Sequence, residues 1–261
     1  MAKVLQIGNR TITAEEIIPL LASYHVVPQL LCESIIDQAI ADIRCTPEET
    51  DLACQQFYQH WQLQTEAERQ AWQEQYSMSQ EQLELLATRE LRVEKFKQAT
   101  WGHKLETYFL KRKRHLDRAV YSLIRTKDLG IANELYFRIQ EGEQTFAELA
   151  EQYSEGPEVK TGGLMGPVEL GTLHPHLAQL ISVSPVSELQ APVKIGEWEV
   201  MIRVEQFLPA QLDEDMRQRL LHEKFQAWLQ EQVNQLPERD KIWLGVSRNS
   251  QLNQATSPVA A

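Results

Sequence analysis

The run Gly162-Gly163-Leu164-Met165-Gly166, followed by Gly171-Thr172-Leu173 and then Leu177, decides how this chain folds. Glycines at this density supply turns that need positive φ or close backbone approach. The run therefore reads as a turn-rich loop, with Pro175 opening a short helix behind it. Upstream, Val120-Tyr121-Ser122-Leu123-Ile124 reads as a strand. Asp128 to Glu141 reads as a helix with Ile131, Leu135 and Ile139 on one face, closed by Gly142. Thr145-Phe146-Ala147-Glu148 has capping-box spacing and opens a second helix through Tyr153. Downstream, Ala191-Pro192-Val193 and Val200-Met201-Ile202-Arg203-Val204 read as strands.

Both flanks are helical in pattern. Val4–Ile7 and Thr11–Thr13 around Gly8-Asn9 predict a small hairpin. Thr13 and Glu16 then begin a helix that His25–Pro28 interrupts, and a second helix is expected over 29–43. Thr46-Pro47 starts a third helix, to about 63, and Thr65 a fourth. Ser79 and Gln82 start a fifth that is expected to run to 98, and a sixth holds Leu105, Tyr108 and Phe109 before Lys111–Arg114. Residues 213–236 carry an apolar stripe, from Met216 and Leu220 to Trp228 and Val233, that must pack on something, with the N-terminal helices the natural partner. The tail after Gly245 reads as loose.

Composition narrows the function. With 43% hydrophobic residues among 261, the chain can bury a core. Its net charge of −11 disfavours a groove for nucleic acid or an anionic membrane surface. No apolar run approaches membrane-spanning length, so no membrane insertion is expected, and the N-terminus lacks an apolar signal core, which makes the cytoplasm the expected location. Cys32, Cys45 and Cys54 fit neither a disulfide framework nor a zinc site and read as reduced thiols. His174 and His176 have no carboxylate or cysteine cluster beside them, so no metal is expected. Lys111–Arg114 reads as a solvated helix end.

Four ordered runs then carry a resemblance: Gly142 with Phe146, Leu149, Ala150, Tyr153 and Ser154; Gly162-Gly163 with Met165-Gly166; Gly171 with Leu173 and Leu177; and Pro192-Val193 with Val200–Val204. Together they resemble the parvulin (rotamase) family of peptidyl-prolyl cis-trans isomerases. The flanking helices look similar in placement to those of SurA- and PrsA-like parvulin foldases, in which N-terminal helices and a later helix build one chaperone-like module.

The resemblance implies an α+β chain: a parvulin-like α/β rotamase domain plus an all-α module. The expected boundaries are a helical chaperone-like segment 1–114, a rotamase domain 115–208, a helix 209–244 packing on the N-terminal segment, and a tail 245–261. It implies an apolar pocket for a proline ring, with Leu173 and Leu177 at the family's ring-holding positions and Met165 and Val168 adding to the wall. The family's polar site positions match Ser122, Val200, Gly156 and Ile195, all altered in chemistry, with Ser122, Ile195 and Val200 expected at the pocket floor. No cofactor or metal is implied, because rotation about an amide makes and breaks no covalent bond. The expected partners are unfolded or Pro-containing polypeptide clients, and the likeness to secretion-linked foldases admits a secretion-linked partner. The expected function is a prolyl isomerase and folding helper; the alternative is an isomerase-inactive peptide-binding chaperone or adaptor.

Overall fold

The structure is a computed structural model that describes residues 3–241. The chain divides into two compact units, one formed by residues 1–103 with 218–261 and the other by Lys104–Arg217. The expected loose tail after Gly245 lies outside the described residues.

The first unit opens with a hairpin, β1 (Lys3–Ile7) and β2 (Arg10–Thr13), turned at Gly8 with φ +58°. Helix α1 (Ala14–Ser23) begins where the Thr13 N–H donates to Glu16 Oε2 at 2.8 Å. Helix α2 (Val27–Ala39) has Pro28 in its first turn, where no intrahelical donor is lost. It stops short of the expected Ile43: the chain leaves helical pairing at Ile40, and residues 40–43 form turns. Three helices with reciprocal capping boxes follow, α3 (Pro47–His60), α4 (Glu66–Tyr76) and α5 (Gln80–Ala87). The helix expected from 79 to 98 is divided at Thr88, whose hydroxyl donates back to the Glu84 carbonyl at 2.7 Å, and α6 (Arg89–Trp101) continues beyond it. Such back-bonding by a Ser or Thr hydroxyl bends helices. Trp72, Leu63 and Leu83 form a buried knot among α3, α4 and α5.

In the second unit, α7 (Leu105–Leu116) buries Leu105, Phe109 and Leu116. The second compact unit begins at Lys104, so α7 belongs to it. Gly171 explains why α7 stays with it: a Cβ at Gly171 would stand 2.9 Å from the His115 carbonyl oxygen. Asp117 then ties three segments together. Its carboxylate accepts from Lys113 Nζ at 2.8 Å and from the Ala210 N–H at 2.7 Å, and its carbonyl accepts from the Leu170 N–H at 2.9 Å.

The sheet of this unit is antiparallel, in the order β4 (Leu164–Glu169), β3 (Arg118–Thr126), β6 (Trp198–Leu208), β5 (Val193–Ile195). The stretch read as a glycine-rich loop is thus largely a strand. Gly162 and Gly163, both at positive φ, turn the chain into it, and Gly166 at φ +105° lies against the β3 backbone. Helices α8 (Leu129–Gln140) and α9 (Phe146–Tyr153) cover one face. Leu135, Phe146, Leu149 and Ala150 pack there on Ile124 and Met201. Ala132 rather than the expected Ile131 joins Leu135 inside α8; Ile131 remains 40% exposed. The other face carries Tyr121, Leu123, Val200, Ile202 and Val204, with α10 (Pro175–Val183) against it.

Helix α11 (Glu214–Gln235) passes into the first unit, where Leu220, Leu221 and Phe225 are buried. Phe225 and Trp228 pack against Phe96 and Trp101 of α6, ring centroids 5.1–6.4 Å apart. The stripe read in residues 213–236 therefore meets α6. A last short helix, α12, spans Glu238–Lys241.

Gly163 is the position where the fold tolerates a side chain least well. It has φ +84°, and a Cβ would meet the Leu123 carbonyl oxygen at 2.9 Å and both Ala150 Cβ and Phe146 Cε1 at 3.0 Å. Gly163→Ala is expected to cost about 2–4 kcal/mol in urea unfolding. Gly142→Ala, at φ +73° with open space around it, should cost only about 1 kcal/mol. Equal losses at the two positions would contradict this packing.

Candidate functional site

Strand alternation sorts the expected site residues by face. On β3, Tyr121 and Leu123 point to the α10 side, and Ile124 points to the α8–α9 side. On β6, Val200, Ile202 and Val204 share the α10 side, and Met201 takes the other. Val200 and Ile195 are buried in one cluster, and Met165, Val168, Leu173 and Leu177 pack half-buried against that same cluster. Six of the eight expected site residues thus come together on a single apolar face.

Ser122 does not. It pairs with Arg203 across β3–β6, on the face of Ile124 and Met201, and its hydroxyl donates to Glu205 Oε1 at 2.5 Å. The Arg203 Nε donates to the same oxygen at 2.9 Å, and its guanidinium lies 5.3 Å from the Phe146 ring. Ser122 is therefore part of a polar tie on the helix-covered side, and its expected place at the pocket floor is corrected. Tyr121, one residue earlier, stands on the apolar side and is 2% exposed. A one-residue offset in strand register exchanges the faces of every side chain.

Gly156 lies beside an ion pair that the sequence did not announce. Arg125 grips Glu158 with two parallel bonds, Nε to Oε1 at 2.9 Å and Nη2 to Oε2 at 2.7 Å. The Ser154 hydroxyl donates to Glu158 Oε1 at 2.5 Å. A Cβ at Gly156 would stand 2.1 Å from Arg125 Nε, so the guanidinium fills the space a side chain there would take. The Arg125 guanidinium also lies 5.5 Å from the Trp198 ring, at the edge of the apolar cluster. Burial alone would raise the Glu158 pKa, but the hydrogen bonds from Arg125 and Ser154 outweigh it and hold the carboxyl below its ordinary range. Burial first, and then the Glu158 charge, pushes the Tyr121 phenol up.

His174 and Glu155 have structural work. His174 caps α10, its Nδ1 accepting from the His176 N–H at 3.3 Å. Glu155 accepts from the Thr126 hydroxyl at 2.9 Å and the Lys127 N–H at 3.0 Å, fixing the end of β3. Among the described residues no group of three or more His, Cys, Asp or Glu is placed to hold a metal, and no helix is long and apolar enough to cross a membrane. Two hollows, of about 480 and 120 Å³, lie in the first unit and are lined by none of the expected site residues.

Tyr121, Arg125, Ser154, Glu158 and Trp198 were missed from sequence. Arg125 and Tyr121 had a readable signal, since they alternate with Leu123 along the strand. Glu158 had none, because its burial depends on a partner 33 residues away.

A four-stranded antiparallel sheet with two helices on one face and an apolar patch under a short helix on the other is the architecture of a parvulin-type rotamase. Residues 125–206 match the family model for the rotamase, PPIC-type PPIASE domain, and this chain carries that domain. Among solved structures, PrsA, a peptidylprolyl isomerase from Bacillus cereus, is 19% identical over 100% of this chain and 94% of its own, with a TM-score of 0.44. A SurA-like chaperone of Campylobacter jejuni is 14% identical over 100% of both chains, TM-score 0.36. The parvulin domain of PpiD from E. coli is 24% identical over 38% of this chain and 95% of its own, TM-score 0.32. At such scores the likenesses carry no functional weight, and the assignment rests on the family match. No curated protein matches the chain.

Glu158 gives the site a measurable pH signature. Its folded pKa lies below the unfolded value, so its contribution is fully present above about pH 4.3 and is lost as pH falls through the folded value. Glu158→Gln should cost about 2–4 kcal/mol at pH 7, because it strands a partly buried guanidinium. The variant should also lose stability less steeply than the wild type on acidification. Parallel stability–pH curves for the two proteins would contradict the ion pair.

Proposed function

We propose that the chain is a peptidyl-prolyl cis-trans isomerase that acts on X-Pro bonds of polypeptide clients, with the proline ring seated on the Leu173–Leu177 patch. The observation that carries this reading is the convergence of Met165, Val168, Leu173, Leu177, Ile195 and Val200 on one face of the rotamase sheet. Four of them are half-buried, so apolar surface remains for a ligand to cover.

The chemistry asks little of the protein. Rotation about an X-Pro amide has a barrier of about 20 kcal/mol and takes tens of seconds uncatalysed. At the top of the barrier amide resonance is lost, and the carbonyl oxygen carries less charge than in the planar form. An apolar, water-poor surface therefore binds the twisted amide better than the planar one, and that difference is the catalysis. No nucleophile, metal or cofactor takes part.

A second reading is favoured by the ion pair. Both Glu158 oxygens and two nitrogens of Arg125 are already satisfied by the protein. The polar centre beside the patch is thus committed internally, which suits a surface that captures Pro-containing segments without accelerating their rotation.

A protease-coupled proline assay, run with an NMR titration, separates the two. Leu173→Asp should reduce catalysed exchange at least about tenfold, since burying a carboxylate against proline costs more than 1.4 kcal/mol, while the far-UV circular dichroism spectrum is retained. An uncatalysed rate at high wild-type concentration removes the isomerase. If Pro-containing peptides then still bind and their Ala-substituted versions do not, the capture reading stands.

A further inference from the structure

We propose that the helical unit carries a second binding site, independent of proline, for polypeptide segments in which a lysine or arginine adjoins apolar side chains. The site is the hollow of about 480 Å³ between α3, α5 and the first turn of α6. Phe57 and Trp61 line one side, Leu86 the other, and Glu90 stands at its edge. The volume lies in the range of ligand clefts and admits one or two large side chains.

The apolar wall is fixed from behind. Phe57 meets Trp72 edge to face at 5.3 Å, and Trp61 meets Trp72 at 5.7 Å. Trp72 itself is buried against Leu63 and Leu83. In front, Trp61 remains 47% exposed and Leu86 38% exposed. An exposed indole and an exposed leucine lining one hollow on a rigid base offer apolar surface for a partner to cover.

Charge selects the occupant. Residues 47–90 carry nine carboxylates and two arginines. Both arginines are engaged: Arg89 contacts Glu33 at 2.6 Å and Asp37 at 2.8 Å, and Arg69 lies 4.1 Å over the Tyr58 ring. The Glu90 carboxylate has no partner among the described residues. Exposed indole beside an unpaired carboxylate favours a cationic side chain, by attraction to the ring face and by ion pairing. The same field repels nucleic acid and anionic lipid, which leaves a basic and apolar polypeptide.

The test uses the full chain and two labelled peptides without proline, one alternating leucine with arginine and one with glutamine in place of each arginine. Fluorescence anisotropy should show the arginine peptide binding more tightly, with the margin shrinking as salt rises. Glu90→Gln should weaken the arginine peptide about fivefold and leave the glutamine peptide unchanged. Trp61→Ala should weaken both peptides. Leu173→Asp should affect neither, which separates this site from the proline patch. The proposal is overturned if the wild type fails to bind the arginine peptide, if Glu90→Gln binds it as the wild type does, or if Leu173→Asp abolishes binding.

Discussion

The antiparallel pairing of β3 with β6 is the constraint on which the rotamase unit depends. These two long strands run side by side in the middle of the sheet, and their period of two gives each residue one of two destinations. Ile124 and Met201 go under α8 and α9, while Tyr121, Leu123, Val200, Ile202 and Val204 go under α10. Once that register is set, the apolar patch has its floor, and β4 and β5 only extend it at the two edges. The register shift between Val120 and Tyr121 lies early in β3, so the alternation past it runs uninterrupted to Thr126.

A second consequence of the register is the placing of Arg125. It follows Tyr121 and Leu123 on the same side but stands at the edge, opposite Val200. There it can keep 28% of its side chain in solvent while its fork reaches a carboxylate with no exposure at all. A fully buried Glu158 would be expensive alone, and the bidentate Arg125 fork together with the single bond from the Ser154 hydroxyl makes it tolerable. The absence of a side chain at Gly156 is part of the same arrangement, because the guanidinium needs that volume.

The sequence made much of this legible, with limits that have physical causes. Capping boxes such as Thr145–Glu148 and Thr13–Glu16 are local and were read correctly, since cap and partner sit three residues apart. Leu173 and Leu177 were recognisable from a run in family-like order, and Ile195 and Val200 were placed as altered positions of the same resemblance. Strand β4 was hidden because glycines at Gly163 and Gly166 speak for turns, whereas here they let the chain approach β3 closely. Ser122 was misplaced because a resemblance fixes an approximate position, and one residue of offset is enough to change the face. Glu158 was illegible because a buried charge is made tolerable only by distant partners that no local pattern reveals.

The internal satisfaction of the polar centre bears on how an isomerase of this kind would work. A donor that is already bonded to a carboxylate offers little to a substrate carbonyl, and it needs no reorganisation when a client arrives. Under the proposed reading, the rate gain would then come from desolvation and shape, with the ion pair fixing the rim beside Trp198. Each tenfold in rate needs only about 1.4 kcal/mol of preference for the twisted amide. An apolar surface can supply preferences of that size by excluding water from a carbonyl that is losing its charge, since a planar amide forfeits more hydration than a twisted one. Under that reading the catalysis is weak and rests on the apolar surface alone, whereas under the capture reading the same surface binds both forms of the amide equally.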